Sequence, residues 1–349
     1  MITRPRLLLT RRWPDFVEAE LGRRYEVTVD PEDRKMDTAA LQEAMLCFDV
    51  LCPTVSDTID ESVLSLPGAS VKLVANYGAG VDHIDLGAAK AAGISVSNTP
   101  DILTEATAEL AILLMLMVIR RAGEGERELR RGAWSGWRPT HLCGQSLAGK
   151  TLGLVGFGRI GQAAARRAAR AFDMKICYHS RRRAPIEVEH SYGATYFESL
   201  RDLVAQADVL SLHCHGGAET FHLVDKALIN QMKPGAILIN TARGSVVREN
   251  DLAAALVSGR LAGAGLDVYE GEPTVTKDLL AGERRAAASP GQRHRGNPRS
   301  DGHAGRCEYR PLLRGRGAAR SCRLRPTYGR LISSSDKWKM RSAAPPNDR

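Results

Sequence analysis

The sequence has no C-x-x-C pair and no zinc-ligand spacing among its seven cysteines, Cys47, Cys52, Cys143, Cys177, Cys214, Cys307 and Cys322. That disfavours a metal cluster, and an odd count disfavours a disulfide framework. Most of the thiols stand in apolar runs, so reduced core cysteines of a cytoplasmic protein are expected. Long apolar runs are also missing. The longest, Leu110 to Ile119, is too short to cross a bilayer and follows Glu109. The amino terminus lacks the apolar stretch of a signal peptide. No membrane partner is expected, and Leu110 to Ile119 reads as a buried helix.

An excess of positive charge is absent from most of the chain. The net charge is +9, but residues 282–349 hold 17 Lys+Arg against five Asp+Glu, which leaves 32 against 35 for residues 1–281. The body is therefore mildly acidic. Its 349 residues and 43% hydrophobic content suit two domains with substantial cores. The basic tail has only three aromatics, Tyr309, Tyr328 and Trp338, and no recognition fold, so a specific nucleic-acid partner is not expected; nonspecific phosphate binding is the weaker reading of its charge.

What is present is alternation. Short aliphatic strands at Arg6–Thr10, Tyr25–Val29, Val50–Leu51, Val71–Asn76 and Ser95–Ser97 are separated by helical or turn segments. A helical pattern runs from Thr104 through Arg121, with Thr104 and its neighbours expected to cap it and supply an acidic first turn. A second alternation starts at Lys150. Together they predict an α/β fold of two Rossmann-like parallel-sheet domains, one flavodoxin-like and one dinucleotide-binding. The expected boundaries are residues 1–100, residues 101–281 including the interdomain helix, and an aberrant basic tail over 282–349. No helical or strand period can be followed in that tail, so it is expected to be mostly disordered.

The chemistry concentrates at Gly156-Phe157-Gly158-Arg159-Ile160-Gly161, set between a strand ending at Val155 and a helix. In that context the three glycines serve a tight turn, backbone approach to a pyrophosphate, and close helix–strand packing. At the end of the next strand, an acidic residue would bind a ribose 2′-hydroxyl. His179-Ser180-Arg181-Arg182-Arg183 stands there instead, and a hydroxyl with guanidinium groups suits a 2′-phosphate. NADP(H) is the expected cofactor and NAD(H) the alternative; a solvated basic loop is the duller reading.

With these residues in view, the run Gly149 to Gly161 resembles the D-isomer-specific 2-hydroxyacid dehydrogenases. So do Asn240-Thr241-Ala242-Arg243-Gly244, the stretch Gly263 to Pro273, Asn76-Tyr77-Gly78-Ala79-Gly80-Val81-Asp82, and Asn98-Thr99-Pro100 with Thr104 to Glu109. The similarity is continuous over about residues 1–281. Trp134-Ser135-Gly136-Trp137 and the Ser-Arg-Arg loop look most like the glyoxylate/hydroxypyruvate reductases, although each Trp taken alone is more often a packing residue.

The resemblance implies roles. Arg243 would hold the substrate carboxylate and polarise its carbonyl, with the amides around Gly78, Ala79, Gly80 and Val81 taking the other carboxylate oxygens. Thr107, Gly156, Phe157, Gly158, Arg159, Ile160, Gly161, Ser180, Arg181, Arg182, His213, Cys214, Thr241, Ala242 and Asp267 would line the cofactor, with Asp267 orienting the carboxamide. Glu272 would pair with a proton-donating histidine. A small 2-oxo or 2-hydroxy acid is the implied substrate and a homodimer the implied assembly, with no metal. Read from the residues alone, Arg243 is equally a strand-end charge and Glu272 a turn residue.

One segment departs from the family. A Pro-His-x-Gly-Ser/Ala stretch is expected about 18 residues after Glu272, and this chain reads Ala287-Ala288-Ser289-Pro290-Gly291-Gln292-Arg293-His294. His294 is the nearest candidate by position, in an Arg-rich run with no strand expected before it. Codons compatible with these residues, read one base later, encode the missing stretch. A shifted reading frame from about residue 282 accounts for the break. It predicts low activity, and a nucleotide-binding but inactive relative is the alternative function.

Overall fold

The computed structural model describes residues 4–281 and 286–288. The strands are β1 (Arg6–Leu9), β2 (Glu26–Val29), β3 (Val50–Cys52), β4 (Leu73–Ala75), β5 (Ser95–Ser97), β6 (Thr151–Val155), β7 (Lys175–His179), β8 (Ala194–Tyr196), β9 (Val209–Leu212), β10 (Ala236–Asn240), β11 (Leu261–Leu266) and β12 (Ala286–Ala288). They form two sheets, ordered β2-β1-β3-β4-β5 and β12-β11-β10-β9-β6-β7-β8. Every pairing is parallel. Both orders reverse direction once, between β1 and β3 and between β6 and β9. Ligand crevices of doubly wound sheets open at such points, beyond the carboxyl ends of the strands.

Composition explains the central strands. Val-Leu-Ser-Leu of β9 and Ala-Ile-Leu-Ile-Asn of β10 are buried at every position, as expected of parallel strands covered on both faces. The helix Thr104–Ile119 buries Ala108, Ala111, Ile112, Leu114, Met115 and Ile119. Small residues let it approach closely. A Cβ on Gly265 of β11 would stand 2.8 Å from the Cβ of Leu114, and Ala108 clusters with Ala163 and Ala164 of the helix Arg159–Phe172. Glu105 completes the contact by pairing with Arg166 and Arg167 at 2.8 and 2.6 Å.

Several details correct the sequence reading. Thr104 does not cap its helix: the cap position is Leu103, without a side-chain hydrogen bond. The helix stops at Ile119 because Arg121 adopts φ +54°, and a second helix, Ala122–Arg130, follows. Aspartates cap elsewhere, Asp37, Asp60 and Asp85 each accepting the amide three residues on. The thiols are free where described, yet Cys52 alone of those five is buried, while Cys47 and Cys143 are exposed. Trp134 and Trp137 do not pack; they are 52% and 82% exposed. A strand does precede position 294, since β12 extends the second sheet alongside β11. The rest of the basic tail, with His294, lies outside the described residues.

Candidate active site

The glycine loop is built at the order reversal of the second sheet. β6 ends at Val155, and Gly156 turns the chain with φ +94°. A side chain there would collide with the backbone of His213 and Cys214 at 2.7–2.8 Å, and one on Gly161 would meet the Gly156 carbonyl at 2.4 Å. Gly158 differs: a Cβ would point into open space, with nothing within 4 Å. It is also the N-cap of the following helix and supplies no capping side chain. The first amides of that helix face no capping side chain and the space beside Gly158 is open, an arrangement with the chemistry that fits a diphosphate. Phe157 contributes only backbone, for its ring is buried against Tyr178, centroids 4.1 Å apart. Arg159 is paired with Asp101, and Ile160 and Thr107 are partly buried.

Two polar atoms beside this loop lack partners. Nδ1 of His213, just past β9, and Oγ1 of Thr241, just past β10, are buried without a hydrogen bond among the described residues. Nε2 of His213 is shared with the Ser211 hydroxyl at 2.9 Å, and burial lowers the pKa of the ring to about 4. Orphaned polar atoms are costly unless a ligand or water meets them. A nicotinamide dinucleotide, with its amide and hydroxyls, fits this donor set. Cys214 is no nucleophile, since burial pushes its thiol up to about 11. Asp267 is 9% exposed and its amide donates to the Asn240 carbonyl at 3.0 Å.

The Ser-Arg-Arg segment follows β7. Arg181, Arg182 and Arg183 are all exposed; Arg181 reaches Glu219 at 2.9 Å, and Arg183 reaches both carboxylate oxygens of the buried Glu189.

Arg243 lies where the two sheets meet. Asn240 shapes the turn that presents it, accepting the Ala242 amide at 3.0 Å and donating to the Arg243 carbonyl at 2.9 Å. Its Nε and Nη2 reach the Asp82 carboxylate at 2.9 and 2.8 Å, and Nη1 reaches the Ala242 carbonyl at 2.8 Å. A Cβ on Gly80 would overlap Nη2 of Arg243, so a side chain there would push the guanidinium off its place against Asp82. Burial raises the Asp82 carboxyl, but the hydrogen bonds and charge of Arg243 outweigh it and leave the pKa lowered.

The loop carrying Gly78 to Val81 is held by its carbonyls. Asn76 Nδ2 donates to those of Gly78 and Gly80 at 3.0 and 2.8 Å, and Asn98 Nδ2 to that of Ala79 at 2.8 Å. The amides of Ala79, Gly80 and Val81 make no hydrogen bond among the described residues. Consecutive free amides are the donors from which anion-binding loops are built.

Glu272 does not meet a histidine among the described residues. Its Oε1 accepts the Tyr269 amide at 2.8 Å, and it is exposed beside a cis peptide bond to Pro273. The expected partner falls after β12, outside the described residues, and within them Glu272 makes this local turn bond. Sequence reasoning gave no role to Asp82, Asn76 or Asn98, although all three stand inside the quoted segments. A His222–Glu270 pair at a cavity of about 610 Å³, also lined by Arg248, Glu249 and Thr276, escaped it too. No spacing rule would have joined those residues.

Residues 112–290 match the family model described as D-isomer specific 2-hydroxyacid dehydrogenase, NAD binding domain. A glyoxylate reductase of Thermococcus litoralis is 42% identical over 281 residues, 79% of this chain and 84% of that protein. A glycerate dehydrogenase of Hyphomicrobium methylovorum is 41% identical over 276 residues, 79% of this chain and 85% of its own. Among solved structures, an NADPH-dependent glyoxylate/hydroxypyruvate reductase of Sinorhizobium meliloti, in complex with NADP and malonate, superposes with a TM-score of 0.78. It is 32% identical and covers 89% of this chain and 94% of its own.

Proposed function

The chain belongs to the D-isomer-specific 2-hydroxyacid dehydrogenases, and we propose that it binds NADPH and reduces glyoxylate, hydroxypyruvate or a similar small 2-oxo acid, with low turnover in the chain as written. It carries the family's NAD-binding domain and is an oxidoreductase of CH–OH groups by kind. The observation that carries the reading is Arg243, a fixed guanidinium set against a loop whose Ala79, Gly80 and Val81 amides are free. A 2-oxo acid presents a carboxylate and a carbonyl oxygen, the two groups such a cation and such amides bind.

The nicotinamide, when bound, supplies the hydride. The residues that would hold the cofactor are the amides at Gly158 to Gly161, Ser180, Arg181 and Arg182 toward the 2′-phosphate, and His213, Cys214, Thr241, Ala242 and Asp267 toward the nicotinamide half. Arg243 would orient the acid and polarise its carbonyl. What the described residues do not offer is a histidine on Glu272 to give the proton. The alternative, nucleotide binding without turnover, rests on that observation. We attribute the departure of the tail to a shifted reading frame.

For assembly, we propose a homodimer through the cofactor-binding sheet, in which the half-exposed Leu113 of the helix Thr104–Ile119 takes part. Among the described residues no helix is long and apolar enough to cross a membrane, and a cytoplasmic location remains the proposal.

The test has two readouts. NADPH fluorescence titration reports binding, and NADPH consumption with glyoxylate or hydroxypyruvate reports turnover. Tight binding with measurable turnover supports the enzyme; tight binding with none selects the inactive relative; absent binding defeats both. Sequencing the coding DNA across codons 270–300 then decides whether the frame is broken in the gene.

A further inference from the structure

The connection from β7 to the helix Ile186–Tyr192 carries three successive arginines whose surroundings differ. Arg183 turns back onto the protein. Its Nε and Nη2 donate to the two carboxylate oxygens of Glu189 at 2.9 and 2.8 Å, and its guanidinium lies 5.5 Å from the centre of the Tyr196 ring. Glu189 is only 4% exposed and accepts a third hydrogen bond, at 2.6 Å, from the fully buried Tyr178 hydroxyl. That hydroxyl accepts the Ala184 amide at 2.9 Å. At the other end of the connection, the Ser180 hydroxyl donates to the Arg182 carbonyl. The loop is therefore tied at both ends, and a buried carboxylate is the hub.

Arg181 and Arg182 are exposed like Arg183 but make no bond to Glu189. Arg181 pairs with Glu219 at 2.9 Å, with both side chains about three-quarters exposed. A pair so exposed contributes little and exchanges readily for a stronger anion. The Glu189 cluster is a different kind of contact. Leaving the buried Glu189 carboxylate without Arg183 is expensive, so the cluster fixes the path of the chain that carries its neighbours.

We propose that Glu189 is a positioning residue for cofactor discrimination: with Tyr178 it anchors the more than half-exposed Arg183 by two hydrogen bonds and so fixes the bend that presents Arg181 and Arg182 to a 2′-phosphate, while Glu219 is the counter-charge that this phosphate displaces. The proposal rests on reading Ser180 to Arg182 as the 2′-phosphate site. A 2′-phosphate carries more charge than a carboxylate and has three acceptor oxygens, so it takes Arg181 from Glu219. A bare ribose hydroxyl cannot, and NAD(H) would leave the Arg181–Glu219 pair in place. The cluster is a fixed frame rather than a pH switch. Arg183, then Tyr178, lowers the pKa of Glu189 to about 2, while burial, then Glu189, raises that of Tyr178 to about 12.

The experiment is calorimetric titration of the full chain with two probes, adenosine 2′,5′-bisphosphate and 5′-AMP. Wild type is expected to bind the bisphosphate about tenfold more tightly than 5′-AMP, through charge-assisted bonds to the 2′-phosphate. Glu189→Gln is expected to lose about that factor for the bisphosphate and to keep its 5′-AMP affinity. Glu219→Gln should bind the bisphosphate more tightly and 5′-AMP unchanged. If Glu189→Gln retains or improves the wild-type preference, Glu189 merely pairs with Arg183 and the positioning role falls. If wild type does not distinguish the probes, the 2′-phosphate reading itself falls. Should Glu189→Gln fail to fold, Tyr178→Phe and Arg183→Met are judged by the same ratio: a reduced preference supports the frame and an unchanged one overturns it.

Discussion

Asp82 and Arg243, 161 positions apart in sequence, are joined by hydrogen bonds from Nε and Nη2 to one carboxylate. The pair ties the loop after β4 to the turn after β10, and with them the two sheets. It also leaves the Nη1–Nη2 edge of the guanidinium as the one not taken by Asp82. Asp82 thus orients the cation that would anchor the substrate.

Asp82→Asn should therefore weaken 2-oxo acid binding while sparing the cofactor. The amide keeps the shape but can place only one oxygen on Arg243 and carries no charge. About a tenfold rise in KM for glyoxylate is expected, with NADPH affinity unchanged. Steady-state kinetics beside NADPH titration checks it; an unchanged KM would mean that Arg243 needs no partner to be held.

Two glycines of the same loop should respond oppositely to alanine. At Gly158 the new methyl meets nothing in the protein, so thermal stability should hold while NADPH affinity falls, because the methyl enters the space assigned to the diphosphate. At Gly161 it meets the Gly156 carbonyl at 2.4 Å, and a loss of about 1–3 kcal/mol in stability is expected. Melting curves with and without NADPH separate the two. Equal behaviour of both variants would sink the assignment.

The parts of this architecture that sequence makes legible are those with a local signature. Buried parallel strands such as Ala236–Asn240 read as apolar runs, and Gly156 to Gly161 reads as a loop because strand and helix flank it. Long-range partnerships leave no such signature. Nothing near Arg243 indicates Asp82, and nothing near Arg183 singles out Glu189 over its exposed neighbours. Caps fail for a related reason: Thr104 has the right chemistry, but the helix starts one residue earlier than its hydroxyl could serve, with Leu103 at the cap position and no side-chain bond. β12 is illegible in the sequence because three alanines between Arg285 and Ser289 carry too little β-character to stand out, and pairing with β11 supplies the strand.

His213 makes stability depend on pH. Its pKa is lowered from 6.5 to about 4 by burial. Between these values the unfolded chain binds a proton that the folded chain refuses, so stability is complete above about pH 6.5 and declines as the pH falls toward 4. The full effect is about 3 kcal/mol at most. Urea unfolding of wild type and His213→Asn between pH 7 and pH 4, taken as the range of these two pKa values, should show the extra decline in wild type alone. Parallel profiles would mean that the ring is not held neutral.

Glu272 discriminates between the active and inactive readings of the chain. In the family's logic its carboxylate holds a proton donor, and losing a positioned general acid costs about 10²–10⁴-fold in rate. Here it accepts the Tyr269 amide instead, a turn bond that glutamine can also make. Glu272→Gln is therefore expected to leave NADPH binding intact and to change the low turnover by no more than about twofold, since no donor remains to be misplaced. A fall of about 100-fold would show that a histidine beyond Ala288 reaches Glu272 after all. The enzyme would then be active as written, and the altered tail would have kept its proton donor by a route that the matching family does not use.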